Sequence, residues 1–136
     1  AVEWERMAND GDHYKLTFDK SGTWSQKYNL VWDKLMNWQI FPEQIVKTEI
    51  PYYLTKQNRY GLPLDNRQTY TKTDWIMWTA TLAPDKATFE EFIEPVYLFM
   101  NETTDRIPMS DWVFTDKPEH RVGGYFIKML ENKMNN

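Results

Sequence analysis

Trp24, Tyr28, Val31, Trp32, Leu35 and Trp38 recur at the three- and four-residue steps of one helix face. That spacing predicts an amphipathic helix over Thr23 to about Trp38. "QIFPE" breaks the pattern, and Pro42 suits the first turn of a second helix reaching about Gln57. The polar stretch "RYGLPLDNRQTYTKT" reads as loop. Thr73 or Asp74 can cap a third helix carrying Trp75, Trp78, Thr79 and Leu82, which "APDK" ends. Thr88-Phe89-Glu90-Glu91 has capping-box spacing and opens a fourth helix to about Asn101. A long polar loop, "ETTDRIPMSDWVFTDKPEHR", leads to a last helix from Val122 to about Lys133, with Tyr125, Phe126, Met129 and Leu130 along one side. Strand alternation shows only at Tyr14 to Phe18. The predicted fold class is all-α: antiparallel helical hairpins in one domain over residues 1–136.

The connections alternate in length. Long loops fall at about 9–22, 57–72 and 102–121, and short turns at about 38–42 and 83–87. Helices joined by short links run antiparallel, so the three long loops should gather at one end of the molecule. "PYYL" at 51–54 and "PVYL" at 95–98 each put a proline in mid-helix just before a long loop. Each proline removes a backbone hydrogen bond, at about 3 kcal/mol in isolation, and matching kinks predict curved outer helices round an inner set. "TWSQKY" and "TDWIMW" read as a faint repeat of inner-helix starts, roughly 50 residues apart.

Composition narrows the partners. Seven Trp, eight Tyr and seven Phe in 136 residues demand a real core and argue against disorder. Sixteen basic and twenty acidic residues give a net charge of −4 with no basic block, which disfavours nucleic acid and anionic membrane. No apolar run approaches the roughly 20 residues that span a bilayer. The absence of cysteine removes disulfides, thiolate metal sites and a cysteine nucleophile. The chain opens "AVEWERMAND", without an initiator Met and partway along a helix, which predicts a piece of a longer protein.

Candidate chemistry collects on the long loops. Asp12, His13, Asp65, Asp74 and Asp111 are the candidate catalytic groups, because one protonated and one ionised carboxyl can share acid and base work. Trp24, Tyr70, Trp75 and Trp112 offer faces for a ring or a wall against solvent, and Arg67 and Arg106 can clamp a carboxylate. "NDGD" at 9–12 reads first as a turn with Gly11 at positive φ; it misses the calcium-loop pattern, so neither metal nor cofactor is expected. His13 suits a loop-holding role better than a general base. Gly123-Gly124 can admit a ligand anion or close helix packing, and Ser21, Ser25 and Ser110 show no His/Asp relay.

"DGDHYKLTFDKSGTWSQKYNLVWDKL", "YGLPLDNRQTYTKTDWIMWTATLA", "NETTDRIPMSDW" and "VGGYFIKML", in that order, resemble the C-terminal part of the glutaminase A family of bacteria and fungi, over about residues 4–130. The resemblance implies a secreted or periplasmic enzyme that hydrolyses glutamine to glutamate and ammonia. It also implies a six-hairpin α/α toroid, of which this chain supplies about half. An open half-toroid exposes apolar faces, so a homodimer or packing on the missing half is expected. A carbohydrate-active toroid acting on a sugar and a non-catalytic helical interaction domain are the competing readings.

Overall fold

The computed structural model describes residues 1–104 and 111–119. Five helices and one small sheet follow in the order α1 (Val2–Ala8), α2 (Leu30–Met36), α3 (Glu43–Leu54), β1 (Tyr70–Lys72), α4 (Thr73–Thr81), α5 (Lys86–Glu102) and β2 (Trp112–Phe114). The fold is therefore helix-rich, but not purely helical as expected. β1 and β2 pair antiparallel, with Tyr70 opposite Phe114, Thr71 opposite Val113 and Lys72 opposite Trp112. Strands of three residues are too short to print an alternating pattern on the sequence, so the pair was not foreseen. The expected last helix, His120, Gly123-Gly124, Arg106 and Ser110 lie outside the described residues.

Three helices follow the pattern closely. α3 starts directly after Pro42 and ends at Leu54, and Pro51 and Pro95 lie inside α3 and α5. α4 begins at Thr73, but its cap position is Lys72, because β1 runs straight into the helix. α5 starts earlier than the Thr88 capping box suggested. Asp85 caps it by accepting a 2.8 Å hydrogen bond from the Thr88 amide.

The largest correction is α2. The expected helix from Thr23 survives only from Leu30 to Met36. Residues 24–26 instead run alongside the 62–66 loop and spend their polar groups on it. The Gln26 amide N–H donates to Leu64 O (2.8 Å), and Trp24 N–H donates to Asn66 Oδ1 (2.9 Å). The Gln26 side chain donates to Leu62 O, Pro63 O and Thr71 Oγ1 and accepts from Thr79 Oγ1, all within 3.1 Å. Those tertiary bonds replace the helical ones that the apolar spacing implied. The expected strand at Tyr14 to Phe18 reduces to one isolated bridge between Asn9 and Tyr14. Gly11 does take positive φ, at 89°.

α4 and α5, joined through Leu82 to Asp85, pack together on the main core. That core holds Trp24, Val31, Ile50, Tyr53, Leu62, Ala80, Leu82 and Phe92. A second cluster centres on Ala8, Tyr14 and Ile45, and a third on Tyr60, Phe99 and Val113. Between them the second and third long loops are stitched together: Tyr60 N–H donates to Thr115 O, and Thr73 N–H to Asp111 O. Residues 24–26, just past the first long loop, join them. That loop's polar part closes on itself instead, with Asp10 accepting from Ser21 Oγ (2.7 Å) and the Gly22 amide (2.6 Å).

Candidate functional site

Where residues 24–33 pass the 62–67 loop they leave a cleft of about 450 Å3. Trp4, Trp38, Ile40 and Phe41 contribute its apolar walls, Ser25 and Lys27 its polar floor, and Asp65 and Arg67 its rim. Its volume lies within the range of about 300–1,000 Å3 common to small-molecule sites.

The rim pair is tightly made. Asp65 is buried, and its carboxylate takes Arg67 Nε at 3.0 Å and Nη2 at 2.6 Å while also accepting the Arg67 backbone N–H at 2.8 Å. The Arg67 side chain remains 62% exposed, so its outer face can still meet an anion.

Lys27 belongs to a buried polar group that the sequence patterns did not single out. Lys27 Nζ sits 2.9 Å from Tyr14 O, 3.0 Å from Ser25 O and 3.4 Å from Ser25 Oγ. Glu49 of α3, almost wholly buried, has Oε2 3.8 Å from that amine, and its Oε1 accepts the Tyr14 amide at 2.6 Å. Tyr53 OH donates to Ser25 O and accepts from Lys27 N–H, both at 2.8 Å. Burial pushes the Lys27 amine down and the Glu49 carboxyl up, in each case outweighing the attraction of the other. The signal was present in the sequence: Ile45, Glu49 and Tyr53 share one stripe of α3, and the acid in the middle of an apolar stripe marks a buried charge.

The remaining candidates form two further groups. His13 is buried, stacked on Tyr52 with centroids 4.3 Å apart, and its Nδ1 meets Asp12 Oδ1 at 2.7 Å. Its Nε2 lies 3.4 Å from Asp10 Oδ2, out of line for a hydrogen bond. The bond to His13 holds the Asp12 carboxyl below the usual range. In the second group Tyr28 stacks on Trp75 (4.5 Å, 6° between planes), Trp75 meets Trp112 edge-on, and Trp112 meets Tyr70. Lys72 lies over both Trp75 and Trp112 and pairs with Asp111 at 2.6 Å. Asp74 is exposed and accepts the Trp75 amide, and Trp24 is buried against Tyr52 and Tyr53. The groups touch: Tyr28 lines the cleft, and Trp24, next to Ser25 in the chain, meets Tyr52 of the His13–Tyr52 stack edge-on. Asp65 is the one candidate acid that lines the cleft. Among the described residues no group of three or more His, Asp or Glu could hold a metal ion.

A family model described as the glutaminase A six helical-hairpin domain matches residues 1–129. The chain belongs to that family. It is 31% identical over 129 residues to "Glutaminase A" of Aspergillus oryzae, a match covering 91% of this chain and 18% of that protein. It is 25% identical over 153 aligned positions to "Probable glutaminase/05536" of Arthroderma benhamiae, covering 91% of this chain and 17% of that one. The chain thus spans under a fifth of the length of these curated relatives. No solved structure matches it significantly.

Within this glutaminase A hairpin domain, the cleft combines three capabilities. Arg67 can orient a carboxylate, the apolar walls can exclude water, and the Ser25–Lys27 floor brings a hydroxyl and an amine within reach of each other. The acids of the other two groups are engaged in loop closure, helix-end bonding or an ion pair.

Proposed function

We propose that this chain is the C-terminal portion of a glutaminase that hydrolyses L-glutamine to L-glutamate and ammonia, and that it forms one half of a six-hairpin α/α toroid in a secreted or periplasmic protein. The observation that carries the reading is the cleft, where a small polar floor and an arginine-bearing rim are set in apolar walls. That arrangement suits a short amino-acid amide: Arg67 takes the substrate's α-carboxylate, held in position by Asp65, and the side-chain amide reaches the floor. Asp12, Asp74 and Asp111 act on the substrate only if further hairpins bring it to them, since none lines this cleft. Membership of the glutaminase A family and the name of the Aspergillus oryzae relative support the substrate class.

The run of rings from Tyr70 through Trp112 and Trp75 to Tyr28 at the cleft edge favours a second reading, a glycoside hydrolase with a sugar stacked on those faces. The two readings separate in one assay. Ammonia release from L-glutamine is measured for this chain and for the whole protein that contains it, beside reducing-sugar release from a glycoside panel. Ammonia from the whole protein supports the first reading. Its absence, with sugar release instead, replaces it by the second. Leu35, Met36, Trp38 and Ile40 are more than half exposed in succession, and Trp32 is 40% exposed. This face supports covering by the remaining hairpins, or by a second copy when the chain stands alone.

A further inference from the structure

We propose that Ser25 and Lys27 are the nucleophile and the general base of the cleft, Ser25 Oγ attacking the amide carbonyl carbon and Lys27 Nζ moving the proton. The inference rests on the amide-hydrolase reading for its substrate, but its geometry is independent of it.

A neutral lysine has two N–H bonds and one lone pair. Lys27 Nζ has two backbone carbonyls at full hydrogen-bonding distance, Tyr14 O at 2.9 Å and Ser25 O at 3.0 Å, and one hydroxyl further out, Ser25 Oγ at 3.4 Å. Two donors to two carbonyls leave the lone pair for the serine hydroxyl, which is the arrangement a base needs. Burial of the amine favours that state and the Glu49 carboxyl opposes it, burial being the larger effect. Glu49 faces Lys27 from α3 at 3.8 Å, and its carboxyl is shifted toward the neutral form by burial. Tyr53 and Tyr14 border the same carboxyl as neutral phenols, both raised by burial, and His13 acts on Glu49 only weakly. Burial likewise lowers the Lys27 amine. Tyr53 is a positioning residue: its hydroxyl bonds Ser25 O and the Lys27 amide, fixing the backbone between the two side chains. Unrelated serine hydrolases reach the same chemistry with a Ser–Lys pair, so no histidine relay is required.

The reaction balances without a cofactor. Ser25 Oγ bonds to the amide carbon as its proton passes to Lys27 Nζ. The tetrahedral intermediate collapses, the C–N bond breaks, and Lys27 returns the proton to the departing nitrogen, which leaves as ammonia. Water then attacks the Ser25 ester, giving its proton to Lys27. The ester C–O bond breaks, and that proton restores the Ser25 hydroxyl.

The test is covalent labelling of the whole protein with a fluorophosphonate, a probe that reads serine nucleophilicity whatever the natural substrate, with the adduct located by mass spectrometry. An adduct at Ser25 that forms faster as pH rises, is absent in Ser25→Ala and falls at least 100-fold in Lys27→Met is the expected result. Because Lys27→Met alone strands a buried Glu49, the double variant Lys27→Met with Glu49→Gln is labelled beside it, its fold checked by circular dichroism. No adduct at Ser25 in the wild type, or undiminished labelling in the folded double variant, overturns the proposal. Ammonia release from L-glutamine is followed in the same samples. Labelling at Ser25 without ammonia from glutamine removes the substrate reading and leaves the pair; ammonia that persists in Ser25→Ala removes the pair and leaves the substrate reading.

Discussion

Gln26→Met is the sharpest test of how the cleft strand is held. The Gln26 side chain is buried and makes four hydrogen bonds, to Leu62 O, Pro63 O, Thr71 Oγ1 and Thr79 Oγ1. Methionine has nearly the same length and fills the space, so the cavity contribution is small. The polar loss is not. Thr79 sits in α4 and can turn its hydroxyl back to a carbonyl of its own helix, so its loss is minor. The carbonyls of Leu62 and Pro63 lose this donor inside the protein, at about 1–3 kcal/mol each. Allowing about 1 kcal/mol for the added apolar burial, the net loss is about 3 kcal/mol, a large share of the stability of an ordinary domain. Urea unfolding followed by tryptophan fluorescence reads it directly. With an m value of about 2 kcal/mol/M, the midpoint falls by about 1.5 M while m stays constant. A shift under about 0.3 M would refute the claim that this amide, rather than helix formation over residues 23–29, fixes the strand.

Three further outcomes follow from the same structure. Gly61 has φ 127°, and a Cβ there would come within 2.9 Å of Ile76 Cδ1, so Gly61→Ala should cost about 2 kcal/mol and lower the melting temperature by about 7 °C in calorimetry. Glu49 has its folded pKa raised above the ordinary 4.5, so its contribution to stability is full below that value and is lost as pH rises through the folded pKa. Glu49→Gln should therefore flatten the decline in unfolding midpoint over that window; an unchanged slope would contradict the burial of a titrating carboxyl. Finally, Trp38→Ser with Ile40→Ser should abolish concentration-dependent dimerisation of the isolated chain in light scattering, and a wild-type chain that is monomeric at all concentrations would sink that expectation.

The sequence made some features plain and hid others, for physical reasons. α3, α4 and α5 were legible because periodicity and polar breaks agree with one another there, with Pro42 marking the entry of α3. The N-terminal half of the expected first long helix failed because Trp24 and Gln26 answer to residues some 40 positions away, and periodicity cannot distinguish a helix face from a strand so anchored. The small sheet was invisible because each strand has only three residues. Convergence of the second and third loops was foreseeable from connection lengths, and their pairing through β1 and β2 agrees with it. The site was legible in part. Asp65 and Arg67 stand on the cleft rim as polar residues in a turn-rich loop would suggest, whereas Asp12, His13 and Asp111 turned out to have close partners of their own. Ser25 was set aside for want of a His/Asp relay and Lys27 was not singled out, because Glu49 lies on α3, and two residues of a tripeptide carry no motif until the fold adds the carboxyl.

The most direct measurement of the central claim is steady-state ammonia release from L-glutamine by the whole protein, wild type against Leu64→Trp, which fills the cleft from its wall. The account predicts glutamate and ammonia in equal amounts from the wild type, and at least a tenfold loss in kcat/KM in the variant with its unfolding midpoint retained. No ammonia from the wild type, or unchanged kinetics with the cleft filled, would contradict it.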